Sequence, residues 1–252
     1  MLKVVTFNLR YNDDENGNSV AERAPRLKQV LSQYDADLMG FQEATPRWME
    51  HLRRDYGDAY GCFTKCRDEE AREAAPVFWK KDRFECVDHG YFWLSDTPDV
   101  PSRGYDTWGC YRICTWVMLR DKREGGAFTY FNTHFGFGDR EQMCSVKLVL
   151  DRVSQIAAGG AILTGDLNMH METPAYRELS RHLTDVNMAT VRDRRPTYHD
   201  YDINRADPED RIDFCFISRE RLYPITSRRM EETVDGKFPS DHYGVYSEIG
   251  WK

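Results

Sequence analysis

Six short polar sequences stand at the edges of apolar runs, and together they supply amides, carboxylates and imidazoles along the whole chain. Asn8 follows Val4-Val5-Thr6-Phe7, Gln42-Glu43 follows Leu38-Met39-Gly40-Phe41, and Asn132-Thr133-His134 follows Thr129-Tyr130-Phe131. Gly165-Asp166-Leu167-Asn168 comes after Ile162-Leu163-Thr164, Arg211-Ile212-Asp213 opens a further apolar run, and Ser240-Asp241-His242 precedes the last. Alone, each has a plain structural role. A strand-end Asn or Asp forms turns, and Glu43 ahead of Thr45-Pro46 suits a helix start. Strand ends are also where remote parts of a chain converge, and one shared site accounts for all six at once.

The residue types fit one reaction. A hard divalent ion such as Mg²⁺ takes oxygen ligands, usually one or two carboxylates with phosphate and water, and polarises a phosphoryl oxygen. A carboxylate can orient and deprotonate water, and an imidazole held by a second carboxylate can meet the phosphoryl group or pass a proton. Glu43, Asp166, Asp213, Asp241, His134 and His242 offer each of these roles. No Walker loop, dinucleotide glycine fingerprint or Cys/His triad context competes with them. Arg112, beside an apolar run, is a fork-shaped cation suited to bidentate phosphate contact, and equally to a structural ion pair.

Such residues need a frame. Residues 2–9, 37–42, 75–79, 113–119, 127–135, 161–164, 211–217 and 243–249 read as strands, being apolar and rich in β-branched or aromatic side chains. Over 24–34, Leu27, Val30, Leu31 and Tyr34 recur at helical spacing, with Pro25 near the start. Residues 46–52 and 142–157 repeat that pattern, the second ended by Gly159-Gly160. Thr173-Pro174 gives an N-cap and first turn for a helix to about residue 181. The polar stretches 12–20, 95–110 and 192–210 read as loops, and the charged run 67–72 as a solvated loop or helix face. No linker divides these elements. The expectation is one domain over residues 1–252, of α/β or α+β class, with two packed sheets.

Composition sets the outer bounds. The chain has 252 residues, 40% hydrophobic and 13% aromatic, which excludes a disordered or fibrous protein. Its net charge of −7 argues against a non-specific duplex binder, because such proteins carry a basic face. No repeat and no apolar stretch of membrane-spanning length is visible. The seven cysteines are odd in number, and Cys62/Cys66 and Cys110/Cys114 are spaced C-x3-C. Zinc is disfavoured at the second pair, since residues four apart in a strand stand roughly 13 Å apart. Free thiols and a start without a charged, apolar leader make the cytoplasm the expected location.

The motifs also carry a resemblance. Thr6-Phe7-Asn8, Gln42-Glu43, Asn132-Thr133-His134, Gly165-Asp166-Leu167-Asn168, Arg211-Ile212-Asp213 and Ser240-Asp241-His242 occur in the order of the endonuclease/exonuclease/phosphatase superfamily, the DNase I-like proteins. Phe92-Trp93-Leu94-Ser95-Asp96-Thr97-Pro98 and Arg112-Ile113-Cys114-Thr115-Trp116 look like its bacterial branch. The likeness spans about residues 3–249 and implies a four-layer sandwich of two mixed sheets flanked by helices. It implies that Glu43 is the principal metal ligand, with Asn8 and Asp241 beside the same Mg²⁺ or Mn²⁺. Asp166 would activate the attacking water with Asn168, His242 would face the phosphoryl group, Asp213 would orient it, and His134 would be a second histidine.

One departure stands out. Many relatives of this branch continue with Leu-Asp-His after the Asn-Thr-His motif, whereas this chain reads Phe135-Gly136-Phe137. Ring stacking by one of these phenylalanines competes with burial of at least one in the core. The expected function is metal-dependent hydrolysis of a phosphate ester by in-line attack of water, with a phosphodiester ahead of an inositol or sugar phosphomonoester. A catalytically silent phosphate-ligand binder is the reading from another class. The substrate would be nucleic acid, phospholipid or a small phosphorylated molecule, and the default assembly a monomer.

Overall fold

The computed structural model describes residues 1–105 and 108–252. The loop expected at 95–110 therefore includes Asp106 and Thr107, which lie outside the described residues. In chain order the strands are β1 (Leu2–Asn8), β2 (Leu38–Gln42), β3 (Tyr60–Phe63), β4 (Val77–Lys80), β5 (Phe84–Trp93), β6 (Ile113–Asp121), β7 (Ala127–His134), β8 (Ala161–Asp166), β9 (Thr184–Asp185), β10 (Asp213–Ile217), β11 (Leu222–Met230) and β12 (Gly244–Trp251). The helices are α1 (Val20–Leu31), α2 (Pro46–Tyr56), α3 (Asp139–Ile156), α4 (Pro174–His182) and the short α5 (Val186–Ala189).

The strands form two six-stranded sheets, ordered β11-β12-β1-β2-β4-β3 and β5-β6-β7-β8-β10-β9. Each sheet is antiparallel except for one central parallel pair, β1 with β2 and β7 with β8. A parallel pair needs a crossover, and α1 and α3 lie between the two members of each pair in the chain. The architecture is thus two βαβ units, each extended by antiparallel strands.

Period-two alternation explains the layers. Val4 faces the inter-sheet core with Leu38, Tyr130 and Ile162, while Val5 and Phe7 face the layer that holds Leu27, Val30 and Trp48 of α1 and α2. On the second sheet, Phe131, Leu163 and Phe214 point outward to Val146 and Val149 of α3 and Leu179 of α4. Helices, sheet, sheet and helices therefore stack as the four layers that the motif resemblance implies.

The sheets are also tied by a buried polar spine. Asn132 on β7 donates through Nδ2 to the carbonyls of Phe41 (2.8 Å) and Pro76 (3.1 Å) in the opposite sheet. Its Oδ1 accepts from Gln42 Nε2 at 2.7 Å and from Thr164 Oγ1 at 3.1 Å. Gly40 makes room for this crossing, since a Cβ there would lie 2.5 Å from both Asn132 Oδ1 and the Tyr130 hydroxyl.

Two expectations need correction. The first helix begins at Val20, four residues before the expected start, and Pro25 sits inside it. The Glu22 carboxylate accepts from the Ser19 backbone N–H at 3.1 Å, and this capping box sets the start ahead of the proline. The run 67–72 is a loop exposed over residues 69–72 as expected, but Arg67 at its start and Glu73 just after it turn inward.

Candidate active site

The C-terminal ends of both parallel pairs meet at one place. Asn8 pairs in register with Gln42, one residue before Glu43, and His134 pairs with Asp166. Asp213, the first residue of β10, lies opposite Asp166 on its other side. Ligand sites of open α/β sheets form at such strand ends. Gly165 is required by this pairing, because a Cβ there would lie 2.0 Å from the Thr133 carbonyl. Glu43 and Asn168 adopt left-handed backbone conformations, φ 58° and 47°, which turn each residue sharply off its strand.

The ends open into a cleft of about 660 Å³ whose lining includes Glu43, Arg112, His134, Asp166, Asn168, Asp241 and His242. Asn8 and Asp213 stand behind that wall and hold its members. Asn8 Nδ2 donates to Asp166 Oδ2 at 2.9 Å and to Glu43 Oε1 at 3.2 Å, while Asn8 Oδ1 accepts from the Arg10 N–H at 2.9 Å. Its nitrogen thus faces the carboxylates. Asn8 thereby bridges Asp166 and Glu43, the two carboxylates at the ends of β8 and β2. The second Glu43 oxygen accepts from the Tyr11 N–H at 2.7 Å. Asp166 Oδ1 accepts from the Asn168 N–H at 3.0 Å, and the Asn168 amide donates to the Phe135 carbonyl at 2.9 Å.

Both imidazoles aim Nε2 at Asp166 Oδ2, His134 from 3.5 Å and His242 from 3.9 Å. They differ in charge. Burial lowers the pKa of His134, and Arg112 and Arg67 lower it further, so it is neutral. Burial would also lower His242, but its 2.9 Å contact to Asp213 and the charges of Asp241 and Asp166 raise it to about 10. Asp166 itself is raised, first by burial and then by Asp213, and Asp241 is raised by burial.

These carboxylates suit a hard cation. Asp166, Asp213 and His242 place ligand atoms within 4.8 Å of one another. The His242 ring nitrogen nearest Asp213 is committed to that hydrogen bond, however, which makes the trio a proton-sharing cluster. Glu43 and Asp241 line the cleft itself, Asp241 with the Arg10 guanidinium at 3.6 Å and the charged His242 beside it. Elevated carboxylate pKa values mark negative charge that nearby protein groups leave undercompensated. An all-oxygen donor set is what Mg²⁺ or Mn²⁺ takes.

Arg112 also lies in the cleft wall, 5% exposed, and its Nε and Nη1 are buried without a hydrogen-bond partner among the described residues. The pattern of apolar runs did not point to Arg67, whose guanidinium joins the same wall and donates to Glu73 at 2.5 Å. Its sequence signal was masked by the charged run around it. Phe135 is fully buried in the core, whereas Phe137 is 51% exposed in the cleft beneath the Arg112 guanidinium, 5.7 Å away. The seven cysteines are free thiols, and none belongs to the group able to share an ion. A larger hollow of about 750 Å³ at the opposite ends of β1 and β2 is lined by paired charges such as Arg83 with Asp37 at 2.7 Å.

A family model described as the Endonuclease/Exonuclease/phosphatase family matches residues 5–242. No curated protein sequence matches the chain. Among solved structures, the fold is similar to a family protein from Bacteroides thetaiotaomicron, with TM-score 0.87 and 28% identity, covering 98% of this chain and 97% of that one. A mannosyl-6-phosphatase from B. thetaiotaomicron has TM-score 0.84 and 27% identity, covering 99% and 100%. D. rerio TDP2 complexed with a single-strand DNA product has TM-score 0.77 at 18% identity, covering 99% and 98%, a likeness of fold alone. The two-sheet architecture is therefore DNase I-like, as the motifs imply. No helix among the described residues is long and apolar enough to cross a membrane.

Proposed function

Because the chain belongs to the endonuclease/exonuclease/phosphatase family, a family of phosphoric ester hydrolases, we propose that it is a divalent-metal-dependent phosphomonoesterase acting on a phosphorylated sugar. The observation that carries the choice of ester is Arg112. A buried guanidinium with two unmade hydrogen bonds beside a cleft favours an anion that supplies several oxygens. Arg67 adds a second guanidinium to the wall; its Nε makes no hydrogen bond, although it lies 3.5 Å from Asp68 and the group also donates to Glu73. A terminal phosphate has one more free oxygen and one more charge than a diester linkage. The likeness to the mannosyl-6-phosphatase, at 27% identity over nearly all of both chains, supports the same choice. This reading puts the monoester ahead of the diester, the other order from the one expected from sequence.

In this reading Arg112 and Arg67 seat the phosphate, and Asp166, with its raised pKa, accepts a proton from water aligned behind phosphorus. The Asn168 N–H keeps that carboxylate turned toward the water. Asp213 fixes the His242 ring so that Nε2–H donates to the phosphoryl oxygens, where negative charge builds. His134, held neutral, completes the wall around Asp166 without neutralising it. Glu43 and Asp241 would hold Mg²⁺ or Mn²⁺, which would offset charge on the phosphoryl and leaving oxygens. The water oxygen bonds to phosphorus as the ester P–O bond breaks, and the departing alkoxide takes a proton from solvent, giving inorganic phosphate and the free alcohol.

The test compares p-nitrophenyl phosphate and mannose 6-phosphate with bis(p-nitrophenyl) phosphate in Mg²⁺. Monoester turnover is expected to vanish in EDTA, and to fall at least about a hundredfold in Asp166→Asn. Arg112→Ala is expected to raise KM for monoesters more than for the diester. Faster diester cleavage would overturn the choice of ester, and turnover surviving both EDTA and Asp166→Asn would overturn the mechanism.

A further inference from the structure

A second cleft of about 540 Å³ adjoins the first, and Arg67 and Ala71 line both. The Trp93 indole lies in its wall and donates from Nε1 to the Arg67 carbonyl at 2.9 Å, so the boundary between the two clefts is held by an aromatic side chain. Tyr111 and Trp108 line this second cleft and not the first, Tyr111 with one ring face under the Arg103 guanidinium at 5.3 Å. Trp108 is 76% exposed, more than any other large apolar side chain among the described residues. An aromatic face left in water at the rim of a cleft marks a place where something else covers it.

The charges choose among occupants. Lys65, Arg67 and Arg103 line this cleft opposite Asp68, Glu69 and Glu70, so the lining is balanced. The strand of a nucleic acid calls for a surplus of cations along its backbone, and a lipid tail calls for walls without charge. A neutral polyhydroxyl chain suits aromatic faces interleaved with both charges. The C–H faces of a pyranose carry slight positive potential and settle on the negative face of an indole or phenol ring. Vicinal hydroxyls pair with carboxylates, and Glu69 and Glu70 are exposed with no hydrogen bond or ion pair among the described residues.

We propose that this second cleft binds the glycan beyond the phosphorylated sugar, so that the substrate is a phosphorylated oligosaccharide. The inference rests on the sugar-monoester reading for its phosphate end, and on the second cleft for the rest. It assigns Trp108, Tyr111, Glu69 and Glu70 to specificity and none of them to the chemical step.

Two measurements test it separately. The first is steady-state kinetics in Mg²⁺ on mannose 6-phosphate, on an α-mannotriose carrying one 6-phosphate at its end, and on p-nitrophenyl phosphate. The trisaccharide is expected to show a kcat/KM about tenfold above the monosaccharide, the scale of one aromatic contact. Trp108→Ala should remove that gain and leave p-nitrophenyl phosphate turnover unchanged, since its side chain is exposed and outside the first cleft. The second is isothermal titration of the protein in EDTA with unphosphorylated mannotriose, where saturable binding lost in Trp108→Ala is expected. Absent or variant-independent binding overturns the inference even if sugar monoesters are hydrolysed. Binding without monoester turnover would instead sink the phosphatase reading and leave the cleft assignment standing. A Trp108-dependent gain on a 5′-phosphorylated single-stranded oligonucleotide, with none on the trisaccharide, also overturns it.

Discussion

His134 and His242 point the same ring nitrogen at the same Asp166 oxygen, yet one is held neutral and the other charged. The difference lies in their neighbours. Arg112 and Arg67 repel a proton from His134, whereas Asp213 accepts from or shares one with His242. Asp213→Asn is therefore expected to bring the His242 titration down from about 10 toward its ordinary 6.5. An NMR pH titration of the ring protons in metal-free protein reads this directly, and an unshifted wild-type imidazole would end the argument. The sign for stability follows: a raised folded-state pKa contributes stability fully below 6.5 that is lost as pH rises through about 10. Urea denaturation of wild type should thus show a falling midpoint over that interval, and a flatter one in Asp213→Asn. The acids and imidazoles that make up this cluster are legible in sequence because the chemistry restricts their types and they end apolar runs. Arg67 and Glu73 are not, since a lone inward arginine in a charged loop has the same local signature as a solvated one.

At the scale of elements, the strands that apolar patterning missed are β3, β5, β9 and β11, and these are the four outer strands of the two sheets. An edge strand has one neighbour and one wet side, so its residues need not be continuously apolar. β11 carries Pro224 at an irregularity, and β5 has one between Cys86 and Asp88, both tolerated only where pairing is incomplete. The inner strands, which carry the site, were the readable ones. Their mutual placement depends on Asn132, whose role as the tie between sheets is invisible without the fold. Asn132→Ala would take one buried partner each from the Gln42 amide, the Thr164 hydroxyl and the Phe41 and Pro76 carbonyls, with Gln42 keeping Thr6 and Pro76 keeping the Phe41 N–H, at a cost of about 1–3 kcal/mol in urea denaturation. A loss below about 0.5 kcal/mol would show that the spine does not hold the sheets. Gly165→Ala probes position alone. It alters no functional group, but it forces β8 away from the Thr133 carbonyl and carries Asp166 with it. A fall in kcat of about a hundredfold is expected, on the scale of a misplacement of about 1 Å. Full activity would mean that Asp166 tolerates that displacement.

For the whole molecule, the net charge of −7 and the arginines of the cleft act over different distances. In the proposed reading Arg112 and Arg67 would meet a phosphate at contact range inside a walled space, where salt screens little. The surface as a whole repels a polyanion arriving from solution, and that repulsion is what salt screens. A nuclease built on phosphate neutralisation loses affinity steeply as salt rises, in proportion to its phosphate contacts. The opposite trend is expected here. Between about 50 and 200 mM NaCl, kcat/KM on a 5′-phosphorylated single-stranded oligonucleotide should rise, while that on mannose 6-phosphate changes by less than about twofold. A steep fall on the oligonucleotide would reveal a basic track that the overall charge conceals. It would move the substrate class from sugars to nucleic acid, because only a substrate that meets several cations at once releases enough counterions to give such a slope.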